Sequence, residues 1–278
     1  MKKVFAFIAL LLLPLSFLAF SGTAQAEGQT LMMATTTSTD NTGLLDELAP
    51  MFQADTGIEL KWTAVGTGKA LKMGENCDVD VLLVHAPASE KKYVELGFGV
   101  DRKQVMYNDF VIIGPASDPA KVKGMPVDTA LKTISAVRSV FASRGDNSGT
   151  NKKEISLWKA AGMAVPDRED WYVQTGQGMI ATITIATEKN GYTMTDRGTF
   201  IKYAHNHGGN PPLTVLVEGD EVLFNQYSVL AVNPARCKNV QYGLAGKFAD
   251  WITSPKVQKA IGEFKLLGKP LFIPNAGK

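Results

Sequence analysis

The feature that most constrains this chain is a pattern repeated along its length: an apolar run of strand length, a short turn of hydroxyl residues and glycine, then a run with helical spacing. Residues 31–34 end at Thr35-Thr36-Thr37-Ser38-Thr39-Asp40, after which Leu44, Leu45, Leu48 and Phe52 recur at helical spacing up to Gly57, with Pro50 inside the run. Residues 58–65 alternate as a strand and pass through Gly66-Thr67-Gly68 into a helical run over 69–73. Residues 79–84 form a short apolar strand before a helix over 89–96. Strands that alternate with helices are joined by crossovers, so the pattern predicts an α/β fold with a mostly parallel sheet flanked by helices.

Two later stretches resemble each other. Tyr107-Asn108-Asp109 leads into an apolar strand closed by Pro115, and Asn225-Gln226-Tyr227 leads into one closed by Pro234. Between them lies about a domain's length of further strand and helix pattern: helices over 129–137, 152–161 and 180–189, and strands over 139–142 and 191–194. Read as paired crossings, the two stretches divide the chain into one lobe of residues 27–112 plus 226–278 and a second lobe of 113–225. A ligand would then sit in the cleft between the lobes. The competing reading is chance likeness between two apolar strands. Two C-terminal helices, over 242–253 and 255–267, are expected to bury Trp251 and Phe264.

The N-terminus reads as an export signal. Met1-Lys2-Lys3, an apolar run over 4–20 and Ala24-Gln25-Ala26 are a charged region, a hydrophobic region and a cleavage site in order, so residues 1–26 are expected to be removed and the mature chain to start at Glu27. A membrane anchor is the alternative, but Pro14 and Ser16 interrupt the run. The expected location is the periplasm. With 278 residues, 45% of them hydrophobic, and a net charge of +2, the chain has the composition of an ordinary globular protein. That charge argues against a nucleic-acid partner, and any bound anion should be small. Neither Cys77 and Cys237 nor His85, His205 and His207 show a metal-ligand spacing, so no metal centre and no cofactor are expected. Whether the two cysteines pair is open at this level.

The chemistry concentrates in the turns. In Ser143-Arg144-Gly145-Asp146-Asn147-Ser148-Gly149-Thr150, an arginine, hydroxyls and glycines precede a helical run, so N–H groups, hydroxyls and a guanidinium can converge on one anion. The plain alternative is a solvated loop with a Ser or Thr cap. Arg144 would grip two ligand oxygens, although an Arg beside Asp146 is also the pattern of a surface salt bridge. Ser148, Gly149 and Thr150 would supply donors at the helix start. Lys153, one turn on, could reach the anion or simply be solvated. In the first turn, strand alternation places Thr35 and Thr37 on one face with Ser38 closest to the turn. Thr67 lies between two glycines that let backbone approach a ligand, and Gly66-Thr67-Gly68-Lys69 lacks the spacing of a nucleotide-binding loop. Thr195 stands at a further strand end. Such ends, aimed at one point, make a cage of donors suited to a small tetrahedral dianion.

Thr35-Thr36-Thr37-Ser38-Thr39, Val65-Gly66-Thr67-Gly68-Lys69-Ala70-Leu71, Leu83-Val84-His85-Ala86, the stretch 143–150 and Tyr192-Thr193-Met194-Thr195-Asp196-Arg197-Gly198 together resemble the tungstate-binding periplasmic component of tungstate-specific ABC transporters. The resemblance spans essentially the whole mature chain. It implies a two-lobed, type II-like periplasmic binding protein, a monomer with no enzymatic activity, that closes on tungstate and delivers it to a membrane permease. It also implies that Arg144, the 35–38 run and Thr150 hold the oxyanion. The Arg-x-Asp-x-Ser-Gly-Thr pattern is similar to that of phosphate-binding proteins as well. Those receptors place a carboxylate to accept the ligand's proton, at a position that here holds His85. That departure favours an unprotonated anion such as tungstate, molybdate or sulfate, while His85 read on its own is equally a satisfied histidine at a strand end. Spacing does not separate molybdate from tungstate. A secreted phosphate-ester hydrolase would need an activated nucleophile, and Ser148 has no histidine near it in sequence.

Overall fold

In the computed structural model the described residues run from 28 to 277, so the expected signal over 1–26 and the start at Glu27 lie outside the described residues. The chain opens with β1 (Thr30–Thr36), a single turn α1 (Thr37–Asp40), α2 (Leu44–Thr56), β2 (Glu59–Val65), α3 (Thr67–Glu75), β3 (Val81–Val84) and α4 (Pro87–Glu95). A long strand β4 (Gly99–Pro115) leads to α5 (Val127–Ala136), β5 (Phe141–Ser143), α6 (Gly149–Ala160), β6 (Tyr172–Gln174), α7 (Met179–Glu188), β7 (Tyr192–Asp196), α8 (Arg197–Asn206) and β8 (Leu213–Val217). The return strand β9 (Phe224–Val232) is followed by α9 (Tyr242–Ile252), α10 (Pro255–Glu263), the small hairpin β10 (Lys265–Leu266) and β11 (Lys269–Pro270), and β12 (Ile273–Pro274).

The strand order is β2-β1-β3-β9-β4-β7-β5-β6, with β8 and β12 also paired to β4. The expected α/β architecture is observed. Within each half, three strands are parallel: β2, β1 and β3 in one, β6, β5 and β7 in the other. Apart from the separate β10–β11 hairpin, the antiparallel pairs among the described residues all involve the crossing strands β4 or β9. These are the two look-alike stretches of the sequence, and they pair directly, Tyr107 opposite Gln226 and Asn108 opposite Asn225. Their direction positions the site. Going from β3 to β9 to β4 to β7 takes three antiparallel steps, so β7 runs opposite to β3. The carboxyl ends of the two parallel triplets therefore point at each other across the middle of β4, where ligands of open α/β sheets collect.

The buried apolar residues form separate sets on the two halves. Leu31, Met33, Phe52, Val81, Leu83, Tyr227, Phe248 and Trp251 pack on one face of the first sheet, with α2, α9 and α10, while Ala34, Leu71, Leu82, Val84 and Leu230 pack on the other, with α3. In the second half, Phe110 and Ile112 face the cluster around Trp158 and Tyr192, and Val111 and Ile113 face the cluster of Ile183 and Tyr203. This alternation is that of a strand covered on both faces. β4 passes from the first set to the second between Met106 and Phe110, and the chain returns between Leu223 and Tyr227. A fully buried side chain such as Phe52 contributes roughly 1.5–3 kcal/mol. Trp251 and Phe264 are buried as expected. Pro50 is accommodated inside α2, and Gly57 caps that helix at φ 73° in the left-handed region that glycine enters without a Cβ clash. Cys77 and Cys237 form a disulfide with Cα atoms 5.4 Å apart, tying the end of α3 to the segment after β9.

Candidate functional site

Between the facing strand ends lies a cavity of about 310 Å³. A water takes up about 30 Å³ of liquid, so a small anion fits with part of its hydration shell. Five helix N-termini line it, those of α1, α3, α6, α7 and α8. Each brings N–H groups without partners inside the helix, together with the positive end of its dipole. Among the lining residues Arg144 is the one cation and Asp196 the one carboxylate.

The first side of the cavity is built at the ends of β1, β2 and β3. β1 stops at Thr36, whose hydroxyl caps α1 by accepting from the Thr39 N–H at 3.3 Å and lies 2.6 Å from Thr39 Oγ1. Asp40 accepts from Trp62 Nε1 at 2.7 Å and so secures this turn against β2. Thr36 Oγ1 and Ser38 Oγ stand 2.9 and 3.1 Å from His85 Nε2, and His85 Nδ1 is 2.9 Å from Asn225 Oδ1. The imidazole stacks on Tyr227 with centroids 4.8 Å apart. Burial holds its pKa below the usual histidine range, against the opposing effect of the Asn225 bond.

The second side is the loop between β5 and α6. Gly145 has φ 60°, and a Cβ there would meet the Gln174 side chain at 2.9 Å, so both backbone and space require glycine. Asn147 is also left-handed, at φ 59°, and its N–H donates to Asn151 Oδ1 at 3.0 Å. Asp146 accepts from the Arg144 guanidinium and, at 3.1 Å, from the Ser148 N–H. Burial opposes ionisation of Asp146, but the Ser148 donors and the Arg144 charge outweigh it and hold its carboxyl below the usual range. Arg144 Nε is buried and has no hydrogen-bond partner among the described residues. Beneath the loop, the buried carboxyl of Glu154 accepts from Ser143, Trp158 and Tyr172, and burial raises its pKa. Gly149 faces the first side, where a Cβ built on it would come within 3.7 Å of both His85 Cε1 and Thr67 Oγ1.

Of the residues singled out from sequence, Thr37, Ser38, Thr67, His85, Arg144, Ser148, Gly149 and Thr150 all line the cavity. Thr35 does not. Its buried hydroxyl donates to the Leu83 carbonyl at 2.8 Å, because the chain leaves strand geometry after Thr36 and the assumed alternation of Thr35 with Thr37 breaks there. Thr195 is buried in β7 with its hydroxyl on the Asp196 carbonyl. Lys153 donates to the Phe224 carbonyl at 3.3 Å outside the cavity, and Asp146 sits behind Arg144. Thr36, which only the resemblance included through the 35–38 run, also lines it, as do Asn41, 178–180, Asp196 and Thr199, which the sequence did not single out. Gly176-Gln177-Gly178 before a helix was the same kind of signal as Gly66-Thr67-Gly68. Asp196 adds a carboxylate to the lining, its Oδ1 accepting from the Thr199 N–H at 2.9 Å and its Oδ2 from the Thr199 hydroxyl at 2.6 Å. Neighbouring Arg197 is engaged by Asp109 and Glu218, hydrogen bonds that raise its pKa.

A family model described as a PBP superfamily domain matches residues 22–256. The solved structure of the tungstate-binding protein TupA from Desulfovibrio alaskensis G20 is 68% identical, with a TM-score of 0.86, covering 89% of this chain and 99% of that one. The structure of a tungstate ABC transporter protein from Geobacter sulfurreducens is 47% identical, with a TM-score of 0.75, covering 84% of this chain and 98% of that one. A curated relative, the tungstate-binding protein TupA of Campylobacter jejuni, is 55% identical over 239 residues, which is 86% of this chain and 88% of the relative.

Proposed function

The chain belongs to the PBP superfamily and, within it, to the family of the TupA proteins, and from that premise we propose that it is a periplasmic solute-binding protein that captures tungstate and hands it to an ABC transporter permease. The observation that carries the reading is the donor set of the cavity: helix N-termini and hydroxyls converge with Arg144, whose buried Nε has no hydrogen-bond partner among the described residues. Tungstate completes its own coordination with four oxygens, so the protein meets only oxygen and needs only donors. Binding is expected from the 36–38 turn, Thr67, Arg144 and 148–150, with Asp146 holding the guanidinium. The lobes, 27–112 plus 226–278 and 113–225, would close on the ligand as a hinge. The mature protein would start at Glu27 and act as a monomer.

A non-catalytic role agrees with the state of the candidate nucleophile. Ser148 Oγ caps α6 by accepting from the Asn151 N–H, and His85 Nε2 is occupied by Thr36 and Ser38. The test is calorimetry of the mature chain with tungstate, molybdate, sulfate and phosphate in competition. Stoichiometric tungstate binding that phosphate does not displace is expected. Phosphate binding without tungstate binding would overturn the assignment.

A further inference from the structure

His85 is held in a way that suits two charge states. Asn225 donates through Nδ2 to Asn108 Oδ1 at 2.8 Å and to Tyr227 Oη at 3.3 Å, which leaves its Oδ1 to accept from His85 Nδ1. Nδ1 thus carries a proton whether the ring is neutral or charged. Among the described residues, Nε2 bonds only to the hydroxyls of Thr36 and Ser38, and a hydroxyl can donate or accept. With a neutral ring, Nε2 takes a hydroxyl proton, so one of these two lining groups is turned from the cavity. With a charged ring, Nε2–H donates to a hydroxyl oxygen and both hydroxyl protons can face a ligand. The contact of Nε2 with the hydroxyls is kept in the change, while the 3.1 Å bond between Thr36 Oγ1 and Ser38 Oγ gives way to the ligand.

We propose that His85 takes up a proton when the oxyanion binds, turning a Thr36 or Ser38 hydroxyl toward the ligand and adding a second positive charge to that of Arg144. The inference rests on the tungstate reading above. It concerns hydroxyls that meet ligand oxygens. A dianion in the cavity favours the imidazolium, and by linkage the imidazolium favours the dianion equally. In the ligand-free chain, burial lowers the ring's pKa and so works against the imidazolium. Affinity is then full below the free-state pKa and falls as pH rises through the higher bound-state pKa, by up to about tenfold per pH unit between the two.

The other groups around the ring have their own partners. Asp196 at the start of α8 is capped by Thr199, Asp40 in α1 is bonded to Trp62, and Glu90 in α4 pairs with Arg102. Arg144 and Asp146 pair with each other, as do Arg197 and Asp109, and Tyr227 in β9 stacks on the ring with its pKa raised by burial. From α6, Lys152 and Lys153 share with His85 a neighbouring cavity of about 400 Å³, and burial lowers the pKa of Lys153, which makes it the required control.

The experiment is titration calorimetry of the mature chain with sodium tungstate, in buffers of different ionisation enthalpy, from about pH 6 to about pH 9. Wild type is expected to take up close to one proton per anion within that range, with a dissociation constant that rises with pH. His85→Gln should bind with no uptake and a flat profile, and Lys153→Met should behave as wild type. Tight binding by wild type without uptake, or uptake that survives in His85→Gln, would overturn the inference and leave the tungstate reading intact. If His85→Gln does not fold, ring ¹⁵N shifts of wild type decide, and a neutral His85 in the saturated complex overturns it. Wild type that binds no tungstate at any pH overturns the ligand assignment and this inference with it.

Discussion

The two sides of the cleft offer different chemistry to the cavity and are braced by different means. On the first side, Thr36, Ser38 and His85 form a net of groups that can each reverse their hydrogen bonds, and the disulfide after α3 ties the helix behind Thr67 to the segment after β9. On the second, the charge is fixed on Arg144, the loop geometry depends on Gly145 and Asn147, and the bracing is the buried Glu154 network. The difference teaches that fixed charge and reversible hydrogen bonding are divided between the sides: one carries the guanidinium of Arg144, the other hydroxyls that can donate or accept.

Arg144→Ala breaks the comparison most directly. Removal of the fixed charge should weaken tungstate binding by about 2–5 kcal/mol, because ligand oxygens are left buried without their partner. Calorimetry that finds affinity within a few-fold of wild type would show that the charge comes from elsewhere. Replacement of Cys77 and Cys237 by serine tests the covalent bracing of the first side. It should cost about 2–4 kcal/mol of unfolding free energy, read by denaturant melts, given the separation of 160 residues. An unchanged melt would show that packing alone holds α3. The finest contrast is between adjacent threonines. Thr36→Val should weaken binding by about 1–3 kcal/mol, whereas Thr35→Val should leave affinity within about twofold and lower stability by about 1 kcal/mol through its lost bond to Leu83. The reverse result would restore simple strand alternation at this turn.

Those two threonines also mark how far the sequence can be read. Apolar runs of strand length and helical spacing identified β1, α2, β2, α3 and β3, and the Arg144 loop stood out through residue types that suit an anion. The exit point of β1 did not, because whether Thr36 continues a strand or caps a turn depends on hydrogen bonds to Thr39 and His85, and the latter is 49 residues away. The same holds for Asp196 and Thr199. Their spacing looks like any helix cap, and only the antiparallel crossing of β4 turns that cap toward β1.

The sequence by itself determined the α/β class, the strand-to-helix turns and the donor character of the residues in them, because side-chain periodicity and hydroxyl or glycine content are local properties. Only the tertiary structure decided that the turns of two distant halves face one point, that Cys77 meets Cys237, and that His85 sits between Asn225 and two hydroxyls. The physical reason is direction. Strand polarity across β9 and β4 is set by long-range pairing, and it is this pairing that makes the carboxyl ends of the two parallel triplets confront each other.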